Sequence, residues 1–152
     1  MIIHLKTKPM FNPATFHPMV VHFPIALILA GILADIAFIV CKKEICFSKA
    51  GLYLMVLGTL GALAAVLTGE FLTSHPEEGE IMTIFEKHET GAWTTLIVML
   101  VGLALRLYIV AAKKEQTLLK WVVFALFLVG AAAVSYTGFF GGTMVYEYMV
   151  GL

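Results

Sequence analysis

Histidines at the ends of apolar segments are the residues of this sequence best suited to chemistry. His17 and His22 lie where one long apolar run begins, and His88 lies where another begins. An imidazole at a membrane boundary can ligate a metal ion, hold haem iron or take up a proton. Haem iron binds axial imidazoles from facing helices, so His88 can pair with either His22 or His17. The sequence therefore predicts a haem b site between two helices, with His22 and His88 as the first ligand pair.

Two other interpretations of the same histidines remain open. One is a site for copper, zinc or another divalent ion, built from histidines that include His75, with Glu70 beside them. The other is a structural subunit without a cofactor, whose histidines are solvated caps at the membrane interface. No c-type haem attachment motif is present, so any haem is expected to be bound non-covalently. An electron carrier or binding subunit is favoured over an enzyme, since no nucleophile with a partnered base and no phosphate-cradling loop is found.

The composition indicates a membrane protein. Of the 152 residues, 61% are hydrophobic and only 13% are charged, which is far too apolar for a soluble domain. Four apolar runs, 18–40, 51–71, 91–112 and 121–140, each reach the ~20 residues that a helix needs to cross the bilayer. We therefore expect an all-α, polytopic, four-helix transmembrane bundle that forms a single domain over residues 1–152. With zero net charge and no basic tract, nothing in the sequence suggests nucleic-acid binding, and no nucleic-acid partner is expected.

Lysines predict the orientation of this bundle. Six of them lie between runs one and two or between runs three and four: Lys42, Lys43, Lys49, Lys113, Lys114 and Lys120. Short loops rich in lysine stay on the cytoplasmic side. Both termini and all of the histidines are therefore expected on the extracytoplasmic side. Cys41 and Cys46 flank the first inner loop, where we expect reduced thiols, and their spacing matches no metal motif.

Two pairs of polar residues have the same spacing on the first and third helices. His17 and Asp35 are 18 residues apart, and so are His88 and Arg106. This spacing equals about five helical turns, so both members of each pair point the same way. Because the two helices run in the same direction, we expect a histidine level at the outer end. At the inner end we expect Asp35 and Arg106 to neutralise each other.

Pro24 is expected to bend the entrance of the first helix. It lies in the second turn if the helix begins near Pro18, where it removes a backbone hydrogen bond. If the bend turns His22 away, His17 becomes the substitute ligand opposite His88.

A set of motifs runs through nearly the whole chain: HPMVVHFPIAL at 17–27, Asp35, the Thr68-Gly69-Glu70 end of the second helix, His88 and GGTMVY at 141–146. In these residues the chain resembles a bacterial family of four-helix inner-membrane proteins that is known as a domain of unknown function. The family usually has Asp where Glu70 stands.

This resemblance implies a multi-pass protein of the bacterial inner (cytoplasmic) membrane. Some family members occur with Rieske or cytochrome c domains, which implies electron transfer or a redox-accessory role, with redox partner proteins. Besides these partners and the lipid bilayer, we also consider a homo-oligomer. It marks His17, His22, Asp35, Glu70 and His88 as the positions to follow. We expect Glu70 and Tyr146 to lie around the site, orienting an imidazole N–H or meeting a haem propionate through water.

Overall fold

Five helices make up the part of the chain that the structure describes. The computed structural model describes residues 16–41, 45–73, 75–76, 78–113 and 118–149, and it contains no strand within them. The helices are α1 (Phe16–Val20), α2 (His22–Cys41), α3 (Ile45–Leu72), α4 (Glu80–Ala111) and α5 (Leu119–Tyr146). The predicted all-helical fold is confirmed.

Four segments of this structure are long and apolar enough to cross a membrane. They are Phe16–Cys41, which contains α1 and α2, and then α3, α4 and α5. Only 28% to 39% of the residues in their most apolar windows are buried inside the protein. The remaining apolar side chains face outward, which is stable in lipid and unfavourable in water. The protein is therefore an integral membrane protein, as its composition predicts.

A break at Val21 separates α1 from α2, and Pro24 is its cause. Proline has no N–H, and its ring collides with the carbonyl group four residues earlier, which here belongs to Val20. The Val21 N–H still bonds the His17 carbonyl oxygen at 3.1 Å. The helix is thus interrupted just before Pro24, in the entrance where the sequence predicts a bend.

The helices extend beyond the predicted apolar runs. The third spanning helix begins at Glu80 rather than 91, because residues 80–90 contain no proline or glycine and continue the helix above the apolar stretch. The fourth continues to Tyr146 rather than stopping at 140. Glycines weaken a helix by only about 1 kcal/mol each relative to alanine, so Gly138, Gly141 and Gly142 remain helical. The second begins at Ile45 instead of 51.

The helices pack as two antiparallel pairs that close into a bundle. α2 packs mainly on α3, and α4 packs mainly on α5, while the contacts of α2 with α5 and of α3 with α4 join the pairs. α2 and α4 therefore lie at opposite corners. The centre of the bundle contains one fully buried side chain from each long helix: Ile28, Met55, Met99 and Phe127. Small residues allow this packing, since an added Cβ at Gly58 would lie 2.8 Å from the Ile28 side chain.

An ion pair joins the diagonal helices α2 and α4 at the end of the bundle that also holds Cys41 and Cys46. Arg106 donates from Nη1 to Asp35 Oδ2 at 2.5 Å and from Nη2 to Oδ1 at 2.8 Å. Nη2 also donates to the Ser48 carbonyl oxygen on α3 at 3.0 Å. The predicted pairing of Asp35 with Arg106 is confirmed. We call this end the arginine end and the opposite one the histidine end.

Candidate metal centre

His17 and His88 meet at the histidine end of the bundle. His17 comes from α1, and His88 comes from the third turn of α4. Their ring centroids are 6.1 Å apart, and the ring planes are perpendicular, at 88°. Both side chains are partly buried. The equal 18-residue spacing on the two segments thus produces the predicted histidine level, although the helix is interrupted at Val21.

Helix α3 holds the imidazole of His17. The Nδ1 atom lies 3.1 Å from Thr68 Oγ1, and the same hydroxyl donates to the Ala65 carbonyl oxygen at 3.0 Å. The ring lies against Gly69, where an added Cβ would be 3.2 Å from its Cε1 atom. A glycine is required for this approach, because any larger residue would push the ring away from Thr68.

Helix α5 holds the imidazole of His88 in a similar way. Its Nδ1 lies 2.9 Å from the main-chain carbonyl oxygen of Thr137. A carbonyl oxygen can only accept, so Nδ1 carries the proton, and the Nε2 of the neutral ring keeps its lone pair. The ring lies over Gly141, where an added Cβ would be 3.1 Å from Cε1 and 3.2 Å from Nδ1. The absence of a side chain at Gly141 lets His88 reach the backbone of α5.

His22, the first choice from the sequence, does not face His88. Its side chain is exposed, and its Nδ1 donates to the Pro18 carbonyl oxygen at 2.6 Å, within its own segment. It follows His17 by five positions, a step that corresponds to about 140° around an ideal helix. The expected pairing of His22 with His88 is therefore not formed, and the substitute, His17, takes that place.

The other candidate residues lie apart from the two rings. His75 is exposed, and its ring centroid lies 5.0 Å from that of Phe85. It lines a groove of about 220 Å³ together with Glu86 and Glu89. Tyr146 is 85% exposed at the end of α5. Glu70 is partly buried, next to Gly69. The hydrogen bonds of the two rings go to Thr68 and Thr137, not to Glu70 or Tyr146.

Four residues that position the rings were missed as site residues by the sequence analysis: Thr68, Gly69, Thr137 and Gly141. Three of them fall within the motifs that carry the family resemblance, which is the one signal the sequence offers. Their roles depend on how α3 and α5 lie beside α1 and α4. Spacing along a single helix contains no such information.

The donor set of this site is two imidazoles. Among the described residues, no group of three or more His, Cys, Asp and Glu side chains could hold one metal ion. Neutral imidazole is a ligand for copper, iron, zinc and nickel. The arrangement can therefore offer two nitrogen ligands from different helices, without a carboxylate or thiolate.

The bundle and its paired histidines define a four-helix integral membrane protein. The chain belongs to the family described as "Predicted membrane protein (DUF2231)", whose model matches residues 13–152. The family resemblance seen in the sequence is thereby confirmed. No curated protein and no solved structure matches the chain.

Proposed function

We propose that the protein binds a copper ion between His17 and His88, at the extracytoplasmic face of the bacterial inner membrane. The observation that carries this proposal is the meeting of two imidazoles from different helices, 6.1 Å apart between centroids. A neighbouring helix holds each ring through Nδ1, which leaves Nε2 as the nitrogen for a metal.

The distance between the rings suits one shared metal. A metal–imidazole bond is about 2.0 Å long, and the ring centre lies roughly 1.1 Å beyond the nitrogen, so two rings on opposite sides of a metal have centroids about 6 Å apart. The centroids of the His17 and His88 rings have about this separation in the structure.

Copper(I) suits this donor set better than zinc does. Structural zinc sites are almost always four-coordinate, and catalytic ones use three protein ligands. The described residues bring only two such side chains to this place. Copper(I) is stable with two nitrogen ligands in a line, so it needs no third residue.

Haem b, in an electron-transfer or redox-accessory protein, is the second candidate. The same 6.1 Å span, between helices of a four-helix bundle, suits two axial imidazoles of one haem iron. The porphyrin, however, extends beyond the edges of both imidazoles on every side. Because His17 lies against Gly69 and His88 against Gly141, α3 and α5 would have to move outward to admit it. A bare ion requires no such movement.

Copper(I) titration of the detergent-purified protein, in competition with a chromophoric chelator, tests the proposal. The exposed thiols Cys41 and Cys46 are replaced by serine first, since thiolates also bind copper(I). We expect one equivalent of copper, lost in His17→Ala and in His88→Ala and retained in His22→Ala.

The same preparation distinguishes the alternatives. A Soret band after expression with added haem, absent from the His17 and His88 variants, would favour haem b over copper. If the protein shows no Soret band and binds no equivalent of copper, the proposal is refuted and a structural subunit is favoured.

A further inference from the structure

We propose that Thr68 is a positioning residue, which fixes the protonated nitrogen of His17 and so determines that Nε2 is offered to the metal. This inference deepens the proposed function and rests on it for the metal. The Thr68 hydroxyl lies between two groups, 3.0 Å from the Ala65 carbonyl oxygen and 3.1 Å from His17 Nδ1.

The direction of these two hydrogen bonds follows from counting protons. A threonine hydroxyl has one proton and two lone pairs. The Ala65 carbonyl oxygen can only accept, so the hydroxyl donates its proton there, as threonines inside helices commonly do. Its lone pairs then accept a proton from His17 Nδ1.

The two histidines thereby present the same nitrogen. His88 donates from Nδ1 to a main-chain carbonyl oxygen, that of Thr137, which no substitution removes. His17 depends on a side chain, so its tautomer can be altered by mutation. Outer-shell partners of this kind orient metal-binding histidines, and losing one typically weakens binding about 10- to 100-fold.

The test begins without metal, by ¹⁵N NMR of the histidine rings at alkaline pH, in a protein whose other three histidines are glutamine. We expect the proton of His17 on Nδ1 in the parent and in Thr68→Ser, which keeps the hydroxyl. In Thr68→Val we expect a large shift of the proton to Nε2. Thr137→Val is the matched control, because the Thr137 hydroxyl bonds Ala133 and only its main chain bonds His88.

Copper(I) affinity provides the second readout. We expect it to fall at least about tenfold in Thr68→Val and to stay within about twofold in Thr68→Ser and Thr137→Val. A proton on His17 Nε2 in the parent protein would overturn the role of Thr68, whatever the metal result. An unchanged tautomer in Thr68→Val would do the same. The expected tautomers in a protein that binds no copper would refute the proposed function while leaving the control of the tautomer by Thr68 in place.

Discussion

Arg106 binds Asp35 through two parallel hydrogen bonds, at 2.5 and 2.8 Å. Asp35 follows His17 by 18 residues and Arg106 follows His88 by 18 residues, so the ion pair and the histidine pair join the same two chain segments. Helices at opposite corners of the bundle are thus connected at both ends. The space between the two connections is filled by apolar side chains that include Met55 and Met99. The apolar core of the bundle therefore separates the histidine pair from the ion pair.

Asp35→Asn and Arg106→Gln are expected to destabilise the protein strongly. Each leaves the partner's charge without its counterion inside the bundle, where the two side chains are only 11% and 12% exposed. Removing one member of a buried pair typically lowers the free energy of unfolding by about 3–5 kcal/mol. The double variant should lose less than the sum of the two single losses. Unfolding in mixed detergent measures this, and strictly additive losses would contradict the pairing.

Gly141→Ala is expected to weaken copper binding by about tenfold, because the new methyl group would push His88 away from the Thr137 carbonyl oxygen. Gly142→Ala is a matched control one residue further along the same helix. An added Cβ there meets nothing within 4 Å, so binding should not change. Copper(I) competition titrations compare the two variants, and equal affinities would argue against the role of Gly141.

The native cysteines provide a direct test of orientation. Cys41 and Cys46 are exposed at the arginine end, and the histidine pair lies at the other end. If the histidine end faces outward, a membrane-impermeant maleimide should leave intact spheroplasts unlabelled and label both thiols after permeabilisation. Labelling of intact spheroplasts would reverse the orientation that the lysines predict and place the copper site on the cytoplasmic side.

Much of the fold could be predicted from the sequence, because lipid imposes simple rules. Apolar runs of sufficient length predicted the four spanning segments, and Pro24 predicted a disturbance of the helix entrance, where the helix is interrupted at Val21. The phase of an ideal helix predicted that Asp35 and Arg106 share a level. The helix ends were not predicted, since hydropathy detects only the part of α4 and α5 that lipid surrounds. Residues 80–90 continue α4 because they contain no helix breaker, and 141–146 remain in α5 although Gly141 and Gly142 weaken a helix.

The candidate site could be predicted only in part. Helical phase placed His17 on the face of Asp35, but the sequence left both His17 and His22 as partners for His88. The choice between them depends on the backbone around Val21, where the helix is interrupted, and the sequence does not specify that geometry. Thr68 and the Thr137 carbonyl group contact the rings because α3 and α5 pack beside them. Such contacts depend on the arrangement of the whole bundle.

X-ray absorption at the copper edge tests the central claim most directly. The sample is the protein with Cys41 and Cys46 replaced by serine, loaded with one equivalent of copper(I). The proposal predicts two imidazole nitrogens at about 2.0 Å and no sulfur, with this signal lost in both His17→Ala and His88→Ala. A copper ion coordinated by methionine sulfur, or by two imidazoles that persist in both variants, would contradict it.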